Sequence, residues 1–134
     1  MSLIKLDITT RKINTKTSIL DIRGEVTGTA ESILMEAYTR ATAAGAHAVI
    51  LNFDGLEYMN SSGIGLLVTL LIRIQRQKQR LLAFGLSDHY RQIFDLTQLD
   101  KAIGIHPTET TAGAAPDDRY AVRNTLRRSH VRIN

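Results

Sequence analysis

The chain has 134 residues, 43% of them hydrophobic, no cysteine and a formal net charge of +4, which is room for one domain with its own core. Without cysteine there can be no disulfide, thiolate zinc site or cysteine nucleophile, and the composition suits a reducing cytoplasm. The charge sits late: from Pro116 onward Arg119, Arg123, Arg127, Arg128 and Arg132 stand against Asp117 and Asp118, five against two, so +3 falls there and about +1 on the first 115 residues. A core so nearly neutral overall lacks the electrostatic footprint of a nucleic-acid-binding domain.

Met1-Ser2-Leu3-Ile4-Lys5 shows no basic region followed by an apolar stretch, so no secretion signal is expected and a cytoplasmic protein is. Lys5 to Thr9 reads as a first strand. Ser18 to Arg23 reads as a second, with Leu20 and Ile22 on one face and Ile19, Asp21 and Arg23 on the other. The two can pair as a hairpin, and Gly24-Glu25-Val26-Thr27-Gly28 reads as a glycine-flanked loop ending the second strand. Ala30, Ile33, Leu34, Ala37, Ala41 and Ala44 then recur at helical spacing, capped by Gly28 or Thr29 and stopped by Gly45.

His47 to Phe53 is a buried strand, after which Asp54-Gly55 signals a turn before Leu56 to Met59. A second helix follows from Ser62 to about Lys78, with Ile64, Leu67, Val68 and Leu71 at helical spacing and Asn60 or Ser61 where an N-cap belongs. Its end, Arg73 to Arg80, is rich in cations and glutamines and reads as a solvated helix terminus, where positive charge favours the dipole. Arg80 to Phe84 is a strand ending at Gly85. Ser87 opens a shorter helix with Tyr90, Ile93 and Phe94 turned to the core, and Ala102 to His106 is a last short strand.

The order β-β-α-β-α-β-α-β implies an α/β domain. Single-helix crossovers make its sheet of about five strands mixed but mainly parallel, with helices mainly on one face. Thr108 to Ala115 reads as a linker, and residues 113–134 as a basic tail, either a weak helix or disordered.

Catalytic patterns are missing. His47, His89, His106 and His130 are scattered without metal-ligand spacing, and no Gly-x-Ser-x-Gly or phosphate loop occurs. Gly63-Ile64-Gly65 fails the dinucleotide fingerprint because Val68 holds the third glycine position. Glu57 is the carboxylate nearest in sequence to the serine pair and has no activating histidine beside it. No enzyme activity, metal or cofactor is expected. The longest apolar run, Ile64 to Ile72, spans nine residues, whereas a membrane span needs about twenty.

What stands out is Asn60-Ser61-Ser62-Gly63, two hydroxyls at the start of an apolar helix. A serine there can simply cap the helix. It can also carry a phosphate, whose roughly two negative charges suit the positive end of a helix dipole.

Taken with Ile22-Arg23-Gly24-Glu25-Val26, Val49 to Leu56, Tyr58 to Leu67 and Leu81 to Gly85, this pattern resembles the STAS domains. Within them it is similar to the bacterial anti-sigma factor antagonists, over residues 4–112. The resemblance implies a protein-binding switch. Its partner would be an anti-sigma factor or related serine/threonine kinase, bound when the antagonist is unmodified and released when the first serine is phosphorylated, with a phosphatase resetting it.

By the same resemblance the acceptor is Ser61, and Asn60, Ser62 and Gly63 shape the helix start. Gly24, Glu25, Val26, Thr27, Gly28 and Ile64 would be the docking surface. The family often has Asp where this chain has Thr27, Asn52 and Asn60, so three negative charges are absent. The alternative is an unmodified STAS module serving a transport or signalling system with a membrane or lipid-transport partner. An exposed N-terminal edge strand leaves room for a homodimer.

Overall fold

Alternating burial in Leu6, Ile8 and their neighbours makes residues Leu6–Lys12 a half-buried edge strand, β1. It pairs antiparallel with β2, Thr17–Val26, from Leu6 opposite Gly24 to Lys12 opposite Ser18. The computed structural model describes residues 5–115. After β2, a 3-10 turn at Gly28–Ala30 runs into helix α1, Glu31–Thr42. There follow β3 (Ala48–Met59), α2 (Ser61–Arg76), β4 (Arg80–Phe84), α3 (Asp88–Leu96), β5 (Gly104–His106) and α4 (Glu109–Ala114). The sheet order is β1-β2-β3-β4-β5, antiparallel at the first pair and parallel thereafter, as the crossover argument expects.

The two faces of β2 separate as its alternation requires. Leu20 and Ile22 join Val49, Leu51 and Phe53 under the long helices, against Leu34 and Tyr38 of α1, Leu67, Leu70 and Ile74 of α2, and Phe94 of α3. Phe53 and Phe94 meet edge to face with ring centroids 6.3 Å apart. Each such fully buried side chain removes about 1.5–3 kcal/mol of apolar surface cost from water, so this layer fixes how α2 lies on the sheet. Ile19, Ile50, Leu82 and Phe84 point the other way, where Ala112 of α4 covers them.

Several local expectations are corrected. Asp54-Gly55 is no turn: β3 continues to Met59, and Gly55 lies opposite Arg23 at a shift in register. A β-carbon at Gly55 would lie 2.9 Å from Arg23 Cγ and 3.0 Å from the Ile22 oxygen, so the glycine serves a bulge, which composition alone does not separate from a turn. Gly24, Glu25 and Val26 belong to β2 rather than to a loop. Gly24 takes φ +101° beside Lys5, whose carbonyl accepts from the Glu25 amide at 2.6 Å.

The Thr108–Ala115 segment is not a linker either. Thr108 caps α4 in a reciprocal pair with Thr111, and Glu109 is tied to Arg11. In α1 the expected face is turned inward at Leu34, Ala37 and Ala41, with Tyr38 buried beside them, whereas Ile33 is 40% exposed. No side chain caps α1, whose N-cap is Ala30 rather than Gly28 or Thr29. The expectation for the tail beyond residue 115 lies outside the described residues.

Candidate functional site

The serine pair lies at the end of β3, where Met59 at the strand's C-terminus hands over directly to α2. Asn60 adopts an extended conformation, and its Oδ1 accepts from the Gly63 amide at 2.9 Å, the bond expected of an N-cap. Its carbonyl accepts from the Ile64 amide at 3.0 Å. Ser61 and Ser62 therefore occupy the first two helical positions, and both are exposed. Their amides precede the first internal helix bond and point outward at the positive end of the dipole. No acidic residue of the first turn already occupies that end.

Gly63 is buried at the point where the helix start meets the end of β2. A β-carbon there would come within 2.1 Å of the Val26 carbonyl oxygen and 2.9 Å of Met59 Cγ. Only a residue without a side chain lets the helix approach this closely. One position back, a β-carbon on Gly28 would lie 3.2 Å from Ser62 Cβ. The β2–α1 connection and the helix start are thus in contact.

Within that surface the members differ in role. Gly24 and Val26 are buried, Val26 only 2% exposed, so neither presents a side chain to a partner and both shape the backbone. Glu25, Thr27 and Ile64 are half-buried, and Gly28 is exposed. Thr27 and Thr29 hydroxyls lie 3.0 Å apart across the turn.

Sequence reasoning missed the part played by Tyr90. Its hydroxyl accepts from the Met59 amide at 2.8 Å, fastening the last residue of β3 to α3 immediately before the cap. Helical spacing marked Tyr90 as a core contact, but nothing in the sequence paired its oxygen with that amide.

Asn52 proves to be remote from the serines. It lies eight residues before Asn60 on an extended strand, and its side chain points to the opposite face of the sheet. There its amide donates to Asp21 Oδ1 at 2.7 Å, and its Oδ1 accepts from the Asp54 amide at 2.9 Å. Of the three positions where the resemblance leads one to expect Asp, Thr27 and Asn60 lie toward the serine pair and Asn52 does not.

Asp21 also pairs with Arg11 at 2.6 Å, and the same guanidinium holds Glu109 at 2.6 Å. Hydrogen bonds from Arg11 hold both carboxylates below their ordinary range, while partial desolvation opposes the shift, and the two acids raise the arginine in return. The cluster anchors α4 and offers no reacting group. Among the described residues no group of acids and histidines could hold a metal ion, and no helix is long and apolar enough to cross a membrane.

The family model for the STAS domain matches residues 8–112, nearly the whole of the described chain. The chain belongs to the STAS domain family. Curated relatives include the anti-sigma-B factor antagonist of Staphylococcus epidermidis, 34% identical over 55 residues. That match covers 41% of this STAS chain and 51% of the relative, so the chain spans about half the length of the curated relatives it matches.

Among solved structures, an anti-sigma factor antagonist from Mycobacterium paratuberculosis superposes with a TM-score of 0.68 at 19% identity, covering 80% of this chain and 90% of that one. The phosphorylated form of the Bacillus cell fate determinant SpoIIAA gives 0.62 at 22% identity, covering 79% and 96%. These likenesses establish the STAS fold.

Proposed function

We propose that this STAS protein is an anti-sigma factor antagonist, a non-enzymatic binding switch of the cytoplasm whose state is set by phosphorylation of Ser61. The observation that carries the reading is the exposed Ser61 in the first turn of a helix capped by Asn60 and held against β2 through Gly63. In the unmodified state the small neutral hydroxyl leaves the helix start and the Thr27–Gly28 turn open as one continuous docking surface for an anti-sigma factor or related serine/threonine kinase. Binding there sequesters that partner and so regulates transcription.

Phosphate on Ser61 adds roughly two negative charges. The host fold tolerates them, because the unpaired amides and the dipole of α2 favour an anion at this end. The partner does not, wherever its complementary surface carries carboxylates or closely packed apolar groups. A phosphatase closes the cycle.

The testing experiment is phosphopeptide mass spectrometry on protein isolated from its own cells under several growth conditions, with copurifying partners identified in the same samples. Condition-dependent phosphate on Ser61, together with loss of a kinase-like partner, supports the switch. A Ser61 that is never modified while partners stay bound would make the protein a constitutive interaction module and leave Asn60-Ser61 as a helix cap.

A further inference from the structure

The small net charge of the core conceals a separation of charge along the strand axis. The parallel strands β2 to β5 begin at one end of the molecule and run toward the other, where Ser61 lies, while β1 runs back the opposite way. At the starting end of β2 to β5 lie Lys12, the last residue of β1, and Lys16 of the β1–β2 turn, Arg73 and Arg76 in the last turn of α2, Arg80 as the first residue of β4, and Lys101 shortly before β5. These elements are contiguous: the His47 amide donates to the Lys16 carbonyl at 2.7 Å, and the Arg80 amide to the His47 carbonyl at 2.9 Å. Beside Lys12, Arg11 is paired with both Asp21 and Glu109. Asp95 and Asp100 also lie toward this end, and one carboxylate oxygen of Asp100 is turned inward, buried without a hydrogen-bond partner. Around Ser61 the balance is reversed, with Glu25, Glu31, Asp54, Glu57 and Asp88 against Lys5, Arg23 and Arg91.

Two further observations bear on what the basic end meets. Large apolar side chains are exposed among its cations: Ile13 in the β1–β2 turn at 41%, Ile72 near the end of α2 at 44%, and Leu96 at the end of α3 at 80%. Ala115 lies at the same end, against a hollow shared with Lys16, Thr17, His47 and Arg80.

We propose that this end of the STAS domain is a docking face for an anionic lipid surface, on the side of the molecule opposite the switch serine. Cations interleaved with exposed isoleucine and leucine suit a lipid interface, which offers negative headgroups and apolar depth together. A nucleic-acid backbone has no use for the apolar groups, and among the described residues the exposed tyrosine, Tyr58, is at the other end of β3. β3 alone, at 12 residues, separates the two ends by roughly 35 Å. That is several Debye lengths, each about 8 Å at physiological salt. Docking by the basic end leaves Ser61 facing away from the lipid and electrically independent of it, so partner exchange would proceed on a surface-held protein.

The test is cosedimentation of the full chain with vesicles of phosphatidylcholine alone and of equimolar phosphatidylcholine and phosphatidylglycerol, repeated over a salt series. Binding is expected only to the anionic vesicles and should weaken as salt rises. Each cation near an anionic surface contributes about a fivefold gain in affinity. The double variant Lys12→Glu/Lys16→Glu should therefore bind about thirtyfold more weakly or worse, with an unchanged thermal melt. Arg91→Glu, at the switch end, should bind as the parent does, and so should Ser61→Ala and Ser61→Asp, which keeps this outcome separate from the fate of the phosphorylation reading.

Equal binding to both vesicle types, or none, overturns the proposal. So does binding that survives Lys12→Glu/Lys16→Glu but is lost in Arg127→Glu/Arg128→Glu, because the folded face would then play no part. Tighter binding to duplex DNA or RNA than to anionic vesicles at the same salt would assign the face to nucleic acid instead.

Discussion

The α-carbon of Gly63 and the carbonyl of Val26 are so close that a β-carbon on Gly63 would stand 2.1 Å from the oxygen. The contact joins the first turn of α2 to the last residue of β2, so it sets the geometry of the whole proposed docking surface. Gly63→Ala must push the helix start away from β2 or twist it. Overpacking of this kind costs about 1–3 kcal/mol, and at roughly 5 °C per kcal/mol the melting temperature should fall by about 5–15 °C. A thermal melt within a degree or two of the parent would show that the helix start yields freely.

Tyr90 holds the other side of the same junction. Met59 is 4% exposed, and its amide has the Tyr90 hydroxyl as its acceptor. Tyr90→Phe keeps the ring and removes the oxygen, leaving a buried donor without a partner at a cost of about 1–3 kcal/mol. Hydrogen exchange of the Met59 amide should accelerate more than that of Leu51, which lies deep in the same strand. Uniform acceleration across β3 would mean a global loss rather than a local one.

The cap itself is separable from the charge it lacks. Asn60→Ala removes the acceptor for the Gly63 amide and should cost about 1 kcal/mol. Asn60→Asp keeps the acceptor and adds a negative charge at the positive end of α2, so its stability should equal or exceed the parent by a few tenths of a kcal/mol. Urea titration of the three proteins measures both steps, and a destabilised Asn60→Asp would show that nearby carboxylates outweigh the dipole.

The architecture was readable from hydrophobic period and punctuation. Leu20 and Ile22 face the helices and Ile19 faces α4, as alternation along β2 requires. Asn60 caps α2 because the side-chain chemistry of a cap is local. Where the reading failed, the deciding contact came from far along the chain. Gly55 resembles a turn glycine until Arg23 is placed across from it. Thr108–Ala115 looks like a linker until Arg11, 98 residues away from Glu109 in sequence, holds that carboxylate. The polarity of the molecule was likewise invisible in a net charge of +4, because summing charges discards which end of the sheet each one occupies.

Acid should loosen the Arg11 cluster. Asp21 and Glu109 have folded-state pKa values lowered by hydrogen bonds from Arg11. Their contribution is therefore complete above the ordinary carboxylate range, near pH 4, and is lost as pH falls through the depressed folded values. The Asp21 side chain is 17% exposed and Glu109 44% exposed, so solvent screening limits the total to roughly 1 kcal/mol. In Arg11→Met the two carboxylates face each other without the cation, and the repulsion is relieved when they protonate. The stability lost between pH 7 and pH 3 should be smaller in Arg11→Met than in the parent by about that amount. Parallel losses in the two proteins would remove the cluster from the account of acid sensitivity.

The two serines should respond differently to the same added charge. Ser61 is exposed at the first helical position, where a carboxylate meets the helix amides and the dipole favours it by about 0.3–1 kcal/mol. Ser61→Asp should therefore fold as stably as the parent or slightly more so. Partner binding, measured with the copurified kinase-like protein by calorimetry, should still fall about a hundredfold, the effect of roughly 3 kcal/mol. Ser62 is placed otherwise, its Cβ 3.2 Å from where a Gly28 side chain would begin. A larger group at that position presses on the Thr27–Gly28 turn, so Ser62→Asp should weaken binding by displacing the docking loop. It should also raise hydrogen exchange in residues 27–30, which Ser61→Asp should leave unchanged. If both variants bind as the parent does, charge at this helix start does not control the complex, and the docking surface must lie elsewhere on the domain.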